Sequence, residues 1–365
     1  MQRWVIDTPR GYDIRGHMRF FCNYGAIEHH LDPQGVHVLP NTLTFFNSKG
    51  GSGKTTMNCS HAVASAAAGW NTLLVDLDAQ GSAGRQMGVK KTPDDDEGQS
   101  LRDAIAMHGR AAPNIVRDVR PGLDMIVGGK HTVEIPELLL SAERTLGRDG
   151  AHGLIETVLA PYAGDYDLIV FDLPPAPGGV LHDSIFATLH YVVYTVAPNQ
   201  MSIDSLEQAW TMVVQGPNPD LEVLGLCVPM WQANAKKKNA GLKSFLDNLS
   251  GQMGGYFSLI DPVVSRSDTA GADMVSEQKL AIELVPLIPQ RKKEYFNWIK
   301  ETKAEAKKQG RDVSEVRKER KASEPARLSE SLITIAEEHK RITIEVNSRF
   351  RAAQGEYLAS LMESA

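Results

Sequence analysis

The run Asn47-Ser48-Lys49-Gly50-Gly51-Ser52-Gly53-Lys54-Thr55-Thr56 sets three glycines ahead of a Lys-Thr pair. Glycines let consecutive backbone N–H groups wrap a phosphate, and the start of a following helix adds partial positive charge. In such a loop the Lys54 ammonium reaches the β- and γ-phosphates of a nucleotide, and the Thr55 hydroxyl is available to Mg²⁺. Lys49 is additional to that chemistry: a cation there sits beside the phosphates of its own site or of a partner's. Three carboxylates complete the set. Asp76 and Asp78 follow one apolar run and Asp172 closes another. A hard cation that dehydrates reluctantly suits a hydroxyl, a carboxylate-held water and substrate phosphates. Each aspartate taken alone is also a common strand ending in α/β proteins.

A phosphate loop of this kind needs a strand before it and a helix after it. The apolar Leu43 to Asn47 and the Ala-rich Met57 to Ala68, stopped by Gly69, are in the required positions. Further short apolar runs at Thr72 to Leu77, Leu123 to Val127, Leu168 to Phe171, Tyr191 to Val196 and Val223 to Pro229 alternate with helical stretches. Strands that are apolar on both faces indicate a mostly parallel sheet covered by helices on both sides, a doubly wound α/β fold. Residues 1–42, with Trp4, Tyr12, Phe20, Phe21 and Tyr24 among Gly and Pro, are expected as an extension packed on the core. Residues 43–288 form the nucleotide-binding domain, and 289–365 a basic, then amphipathic, helical extension. The acidic Pro93 to Gly98 reads as a solvated loop.

The composition bounds the rest. With 365 residues, 42% hydrophobic and 23% charged, the chain is globular rather than disordered or fibrous. Cys22, Cys59 and Cys227 are odd in number and far apart, which argues against a disulfide framework or a thiolate zinc site and for a reducing cytoplasm. No apolar run approaches a membrane span, and the first 30 residues lack a signal-peptide pattern. His29, His30 and His37 lack the accompanying Cys or carboxylate spacing of a metal site.

The Lys-Gly-Gly-Ser-Gly-Lys-Thr-Thr run resembles the deviant Walker A motif of the ParA/MinD family of dimerising ATPases, closest to its ParA-type DNA partition members. Leu73 to Ala83 is similar to that family's switch I strand and loop, with Ala79 where proline is usual. Tyr166 to Pro175 resembles its Walker B strand and double proline; Ala197 to Leu206 and Leu224 to Met230 extend the likeness, which covers about residues 43 to 285. The resemblance implies a P-loop NTPase using ATP and Mg²⁺. Residues Lys49 to Thr56 would cradle the nucleotide, Lys54 acting in its own subunit and Lys49 across a sandwich dimer. It also implies that Asp78 orients the attacking water, that Asp76 lies near the Mg²⁺ hydration shell, and that Asp172 anchors Mg²⁺ directly or through water, with Thr55.

Relatives of this kind differ in cargo. The cysteine positions do not suit a cluster shared between subunits, and the tail is not tyrosine-rich. Ile342, Ile344, Val346 and Phe350 only partly share a face, so core packing is expected over membrane docking. Residues 1–42 are too short for a helix-turn-helix domain. The formal charge of −6 conceals a division: residues 291–365 carry 17 basic and 13 acidic side chains, net +4, leaving −10 for residues 1–290. A basic helical face is the footprint of sequence-independent phosphate binding. The candidates are Arg291, Lys292, Lys293, Lys300, Lys303, Lys307 and Lys308, with Lys236, Lys237, Lys238 and Arg266 as a second cluster; a mixed Lys/Glu helix that is merely solvated is the alternative. Tyr295, Phe296 and Trp298 are expected to pack a helix rather than stack on bases.

The expectation is a cytoplasmic, nucleoid-associated ATPase that forms an ATP-dependent homodimer, binds nonspecific DNA and is reset by slow hydrolysis. A ParB-like centromere-binding or other protein would stimulate it, without stable membrane binding. The rivals are a related ATPase that positions a protein cargo or division machinery on nucleoid or membrane, and a nucleotide-gated scaffold with negligible hydrolysis.

Overall fold

The computed structural model describes residues 38–175, 179–197, 205–206, 211, 216–231, 258–261 and 263–364. The expectations for residues 1–37, Lys236 to Lys238 and most of Ala197 to Leu206 lie outside the described residues. Seven strands, β1 (Thr42–Phe46), β2 (Thr72–Asp76), β3 (Ile115–Arg120), β4 (Leu123–Ile126), β5 (Leu168–Asp172), β6 (Tyr191–Thr195) and β7 (Glu222–Cys227), form one sheet in the order β3-β4-β2-β5-β1-β6-β7. Every pairing is parallel except β3 with β4. β1, β2, β5 and β6 are buried at every position, which is why they read as unbroken apolar runs. β3 was not expected. Its sequence Ile-Val-Arg-Asp-Val-Arg is charged and half exposed because it forms the sheet edge, where charges and an irregular register hinder pairing with another chain.

The helices are α1 (Lys54–Ala67), α2 (Ser82–Gln86), α3 (Gln99–Ala106), α4 (Ile135–His152, interrupted at Gly147), α5 (Leu154–Ala163), α6 (Val180–Thr188), α7 (Asp268–Glu277), α8 (Ala281–Leu284), α9 (Ile288–Gln309), α10 (Val313–Glu319) and α11 (Ser331–Ser364). Alternation along the strands divides the core in two. Phe46, Val75, Phe171 and Val192 pack with Leu139, Leu154 and Ile185 from α4, α5 and α6. Leu43, Phe45, Leu74 and Val193 face the other way, onto Met57 of α1 and onto Ile342, Val346 and Phe350 of α11. Thus Leu332, Ile335, Ala336, Ile342, Val346 and Phe350 of the last helix go into the core, whereas Ile333 and Ile344 are exposed. The Phe350 ring packs 4.9 Å from that of Tyr191 and 5.9 Å from that of Trp70. Arg349 donates to the Leu224 carbonyl at 2.7 Å, and only a glycine at 225 leaves room: a Cβ there would lie 2.6 Å from the guanidinium. No helix among the described residues is long and apolar enough to cross a membrane.

The acidic loop is more than solvated surface. Asp95 accepts from the Lys91 and Glu97 N–H groups, Asp96 accepts from those of Gly98 and Ser100 at the start of α3, and Glu97 pairs with Lys90 and Lys130. Here the carboxylates satisfy the turn's own donors, a role that charge counting does not reveal.

His61 on α1 is buried edge-on to Phe45 at 5.3 Å, with neither ring nitrogen hydrogen-bonded among the described residues. Burial lowers its pKa to about 3. The folded ring therefore stays neutral while the unfolded chain takes up a proton below about pH 6.5, so stability is lost as pH falls. His61→Leu should remove this dependence, flattening the pH profile of urea unfolding by ~1.4 kcal/mol per unit between about pH 6.5 and 3. Parallel profiles for the two proteins would show that the ring is protonated in the fold.

Candidate functional site

The expected site residues converge where the carboxyl ends of β1, β2 and β5 meet, the crevice in which open α/β sheets take ligands. β1 runs into the loop 47–53, and α1 begins at Lys54. Gly51 and Gly53 have φ of 72° and 84°, which favour glycine. A side chain at Gly53 would also press on Pro229 at 3.0 Å. Asn47 fixes the loop's first turn: its Oδ1 accepts from the Lys49 N–H and the Ser205 hydroxyl, both at 2.8 Å, and its Nδ2 donates to the Thr195 carbonyl. Ser52 donates to the Lys49 carbonyl at 3.2 Å.

Lys54 is 5% exposed, and its ammonium donates to the Lys49 carbonyl at 2.8 Å. Burial lowers its pKa, partly offset by the charges of Asp172 and Asp78. The Lys49 ammonium, by contrast, has no hydrogen-bond or ion-pair partner among the described residues; only its backbone is engaged. Gly50 and Gly51 beside it are exposed.

Asp76 and Asp172 face one another in register across β2 and β5, both fully buried. Asp172 accepts from Asn58 on α1 at 3.0 Å through Oδ1, while Oδ2 is buried without a partner in the described residues. Burial pushes the Asp172 carboxyl up to about 6, and burial followed by the Asp172 charge pushes Asp76 well up. Two close carboxylates with an orphaned oxygen fit a divalent cation that neutralises them. No cluster of three His, Cys, Asp or Glu forms a metal cage among the described residues. Thr55, next to Lys54, begins the same helix turn.

Asp76 also organises the loop beyond β2. Its two oxygens accept from the N–H groups of Asp78 at 3.0 Å and Gly84 at 3.3 Å, folding the loop back over the strand end. Asp78, 8% exposed, accepts from the Gln80 N–H. Gln86 of α2 donates to the Thr56 hydroxyl at 3.3 Å, tying this loop to the phosphate loop. Against Asp76 lies Gly128, where a Cβ would stand 2.6 Å from its carbonyl oxygen and 2.8 Å from its Oδ1. Gly128→Ala should therefore cost ~1–3 kcal/mol through overpacking. Denaturant unfolding together with nucleotide titration checks this; stability within about 0.5 kcal/mol of the parent, by the usual surface scatter, would mean that Asp76 has room to move.

Sequence reasoning passed over Asn47, Asn58, Gln86 and Gly128. Asn58 did leave a signal, the one amide side chain in a helix rich in Ala and Ser. The basic candidates lie outside this crevice. Arg266 pairs with Asp268, Arg291 makes two bonds to Glu277, and Lys292 pairs with Glu330. Lys293 and Lys300 are exposed and without an ion pair among the described residues. Trp298 is buried and packs its helix, as expected of it.

The sequence profile of a family described as AAA domain matches residues 41–222. The chain is 27% identical over 214 residues to the chromosome partitioning protein ParA of Myxococcus xanthus, covering 58% of this chain and 72% of that one. Among solved structures it is similar to a Cyanothece McdA variant in complex with ATP, at a TM-score of 0.55 and 17% identity over 68% of this chain and 91% of the other. It is also similar to cobyrinic acid a,c-diamide synthase from Mycobacterium smegmatis with bound ADP and magnesium, at 0.52 and 24% over 65% and 91%. At those identities the structures speak for the fold alone.

Proposed function

The chain belongs to the ParA/MinD family of P-loop ATPases, and from that membership we propose that it hydrolyses ATP within a sandwich dimer that binds DNA nonspecifically and drives plasmid or chromosome partition. The observation that carries the reading is the Lys49 ammonium, without a partner among the described residues, at the mouth of a loop whose own phosphate lysine is Lys54. A lysine that its own loop does not use is available to the nucleotide of a second subunit. The partitioning role is supported by the name of the Myxococcus xanthus relative, and nucleotide binding by the ligands of the two similar structures, ATP in one and ADP with magnesium in the other.

Lys54 leaves the Lys49 carbonyl for the phosphates, and the loop N–H groups cradle them. Thr55, Asp172 and, through water, Asp76 would hold Mg²⁺. Held there, Mg²⁺ would supply positive charge to offset the charge that develops on the phosphates. Asp78 holds the attacking water and orients it. A stimulating partner protein would complete the cycle by accelerating slow turnover.

Lys49→Ala should abolish ATP-dependent dimerisation and lower turnover by ~10²-fold or more, the usual loss when one donor to transition-state charge is removed. Asp78→Ala should keep the ATP dimer and stop hydrolysis. Light scattering with and without Mg-ATP, beside phosphate release, tests both. A Lys49→Ala protein that dimerises and turns over normally sinks the assignment in trans.

A further inference from the structure

Helix α9 sorts its charges by face. Lys293, Lys300, Lys303 and Lys307 follow at intervals of seven, three and four, the spacing that keeps side chains on one side of a helix. All four are exposed and have no ion pair among the described residues. The acids take a different arc. Glu301 and Glu305 turn toward Arg320, at 3.4 and 3.2 Å, and Glu294 accepts from Gln290 at 2.9 Å. Trp298, Thr302 and Ala306 form the buried face, with the guanidiniums of Arg317 and Arg320 about the Trp298 ring at 6.0 and 5.7 Å. A helix of mixed composition thereby presents a lysine row ~21 Å long, at 1.5 Å rise per residue, with no acid in it.

We propose that this row is a docking strip for the phosphate backbone of double-stranded DNA, and that it works without nucleotide. The proposal rests on the reading of DNA as the protein's matrix and goes beyond it, because one part of the contact is freed from ATP control. Charge complementarity gives the partner: unpaired ammoniums in line fit a regular polyanion and gain from counterion release. A lipid surface fits less well, since Phe296 is the one large apolar side chain in the row while the helix's remaining apolar surface is turned inward. Independence from nucleotide comes from the contacts. Among the described residues, the side-chain hydrogen bonds and ion pairs made by residues 293–324 stay within the α9–α10 hairpin and its closing turn, apart from Glu294's bond with Gln290 in the first turn of α9. None reaches the phosphate loop, Asp76, Asp78 or Asp172. The strip is therefore already formed in a single subunit, and dimerisation adds a second copy.

The test uses the full chain and a labelled duplex of arbitrary sequence, with affinity measured across salt in the absence of nucleotide and again with Mg-ATP. The comparison is with a variant carrying Lys293→Gln, Lys300→Gln, Lys303→Gln and Lys307→Gln. The wild type should bind without nucleotide and lose about 10²-fold between roughly 50 and 200 mM salt through these four contacts. The variant should lower the salt slope by ~3–4 in both conditions, while its basal ATPase activity and thermal unfolding stay unchanged, because all four side chains are exposed. Lys292→Gln, which removes a paired lysine, should change little. Binding that needs ATP in the wild type, or an unchanged slope without nucleotide in the variant, overturns the proposal. So does a variant that loses phosphatidylserine vesicles and keeps DNA. Failure of the dimer reading looks different: Lys49→Ala would then leave DNA binding with Mg-ATP at its full value.

Discussion

Lys54→Met is expected to lower ATP turnover by at least ~10²-fold, the scale on which a donor aimed at developing charge acts in a closed site, without lowering the stability of the nucleotide-free protein. Lys54 is a buried cation whose ammonium donates to a backbone carbonyl, and burial already disfavours its charge. An apolar side chain of similar length occupies that space without the desolvation cost. Thermal unfolding of Lys54→Met without nucleotide should match or exceed that of the wild type, and the upward shift that Mg-ATP gives the wild type should vanish. Turnover within about tenfold of the wild type would remove Lys54 from the site. A large drop in nucleotide-free stability would show instead that the Lys49 contact holds the loop together.

Phe350→Ala is expected to cost ~3–5 kcal/mol, the range for emptying a buried aromatic site. Phe350 is 1% exposed and fills the space between Tyr191 on the sheet and Trp70 beyond α1. Its loss also loosens the seam where Asn347 meets Ser65 of the phosphate-loop helix. Nucleotide affinity should fall along with stability. Phe296→Ala, at a side chain 54% exposed, is the control and should change unfolding by less than about 0.5 kcal/mol. A Phe350→Ala protein with an unchanged urea midpoint would mean that α11 is dispensable to the core.

The phosphate loop and the central strands were legible for the same physical reason: each is dictated locally. A phosphate cradle demands Gly51 and Gly53 where φ is positive, and a strand buried on both faces demands the unbroken apolar runs of β1, β2, β5 and β6. β3 was illegible because an edge strand can carry Arg117, Asp118 and Arg120. Contacts distant in sequence were equally hidden. Asp172 and Asn58 are 114 residues apart, and Gly128 meets Asp76 only once β4 lies beside β2. The basic tail was visible as a count, whereas the sorting of lysines from glutamates depends on where the turn after α10 places Arg320.

The packing of α11 on α1 and the sheet also sets a timetable for the growing chain. The strands at the centre of that face are complete once β6, ending at Thr195, has been made, but Phe350 is translated 155 residues later. At ~5–20 residues per second the ribosome needs about 8–30 s to supply the cover. Through that interval Leu43, Phe45, Tyr191 and Val193 lack their final partner, so nascent chains of this length are the ones a chaperone should hold longest.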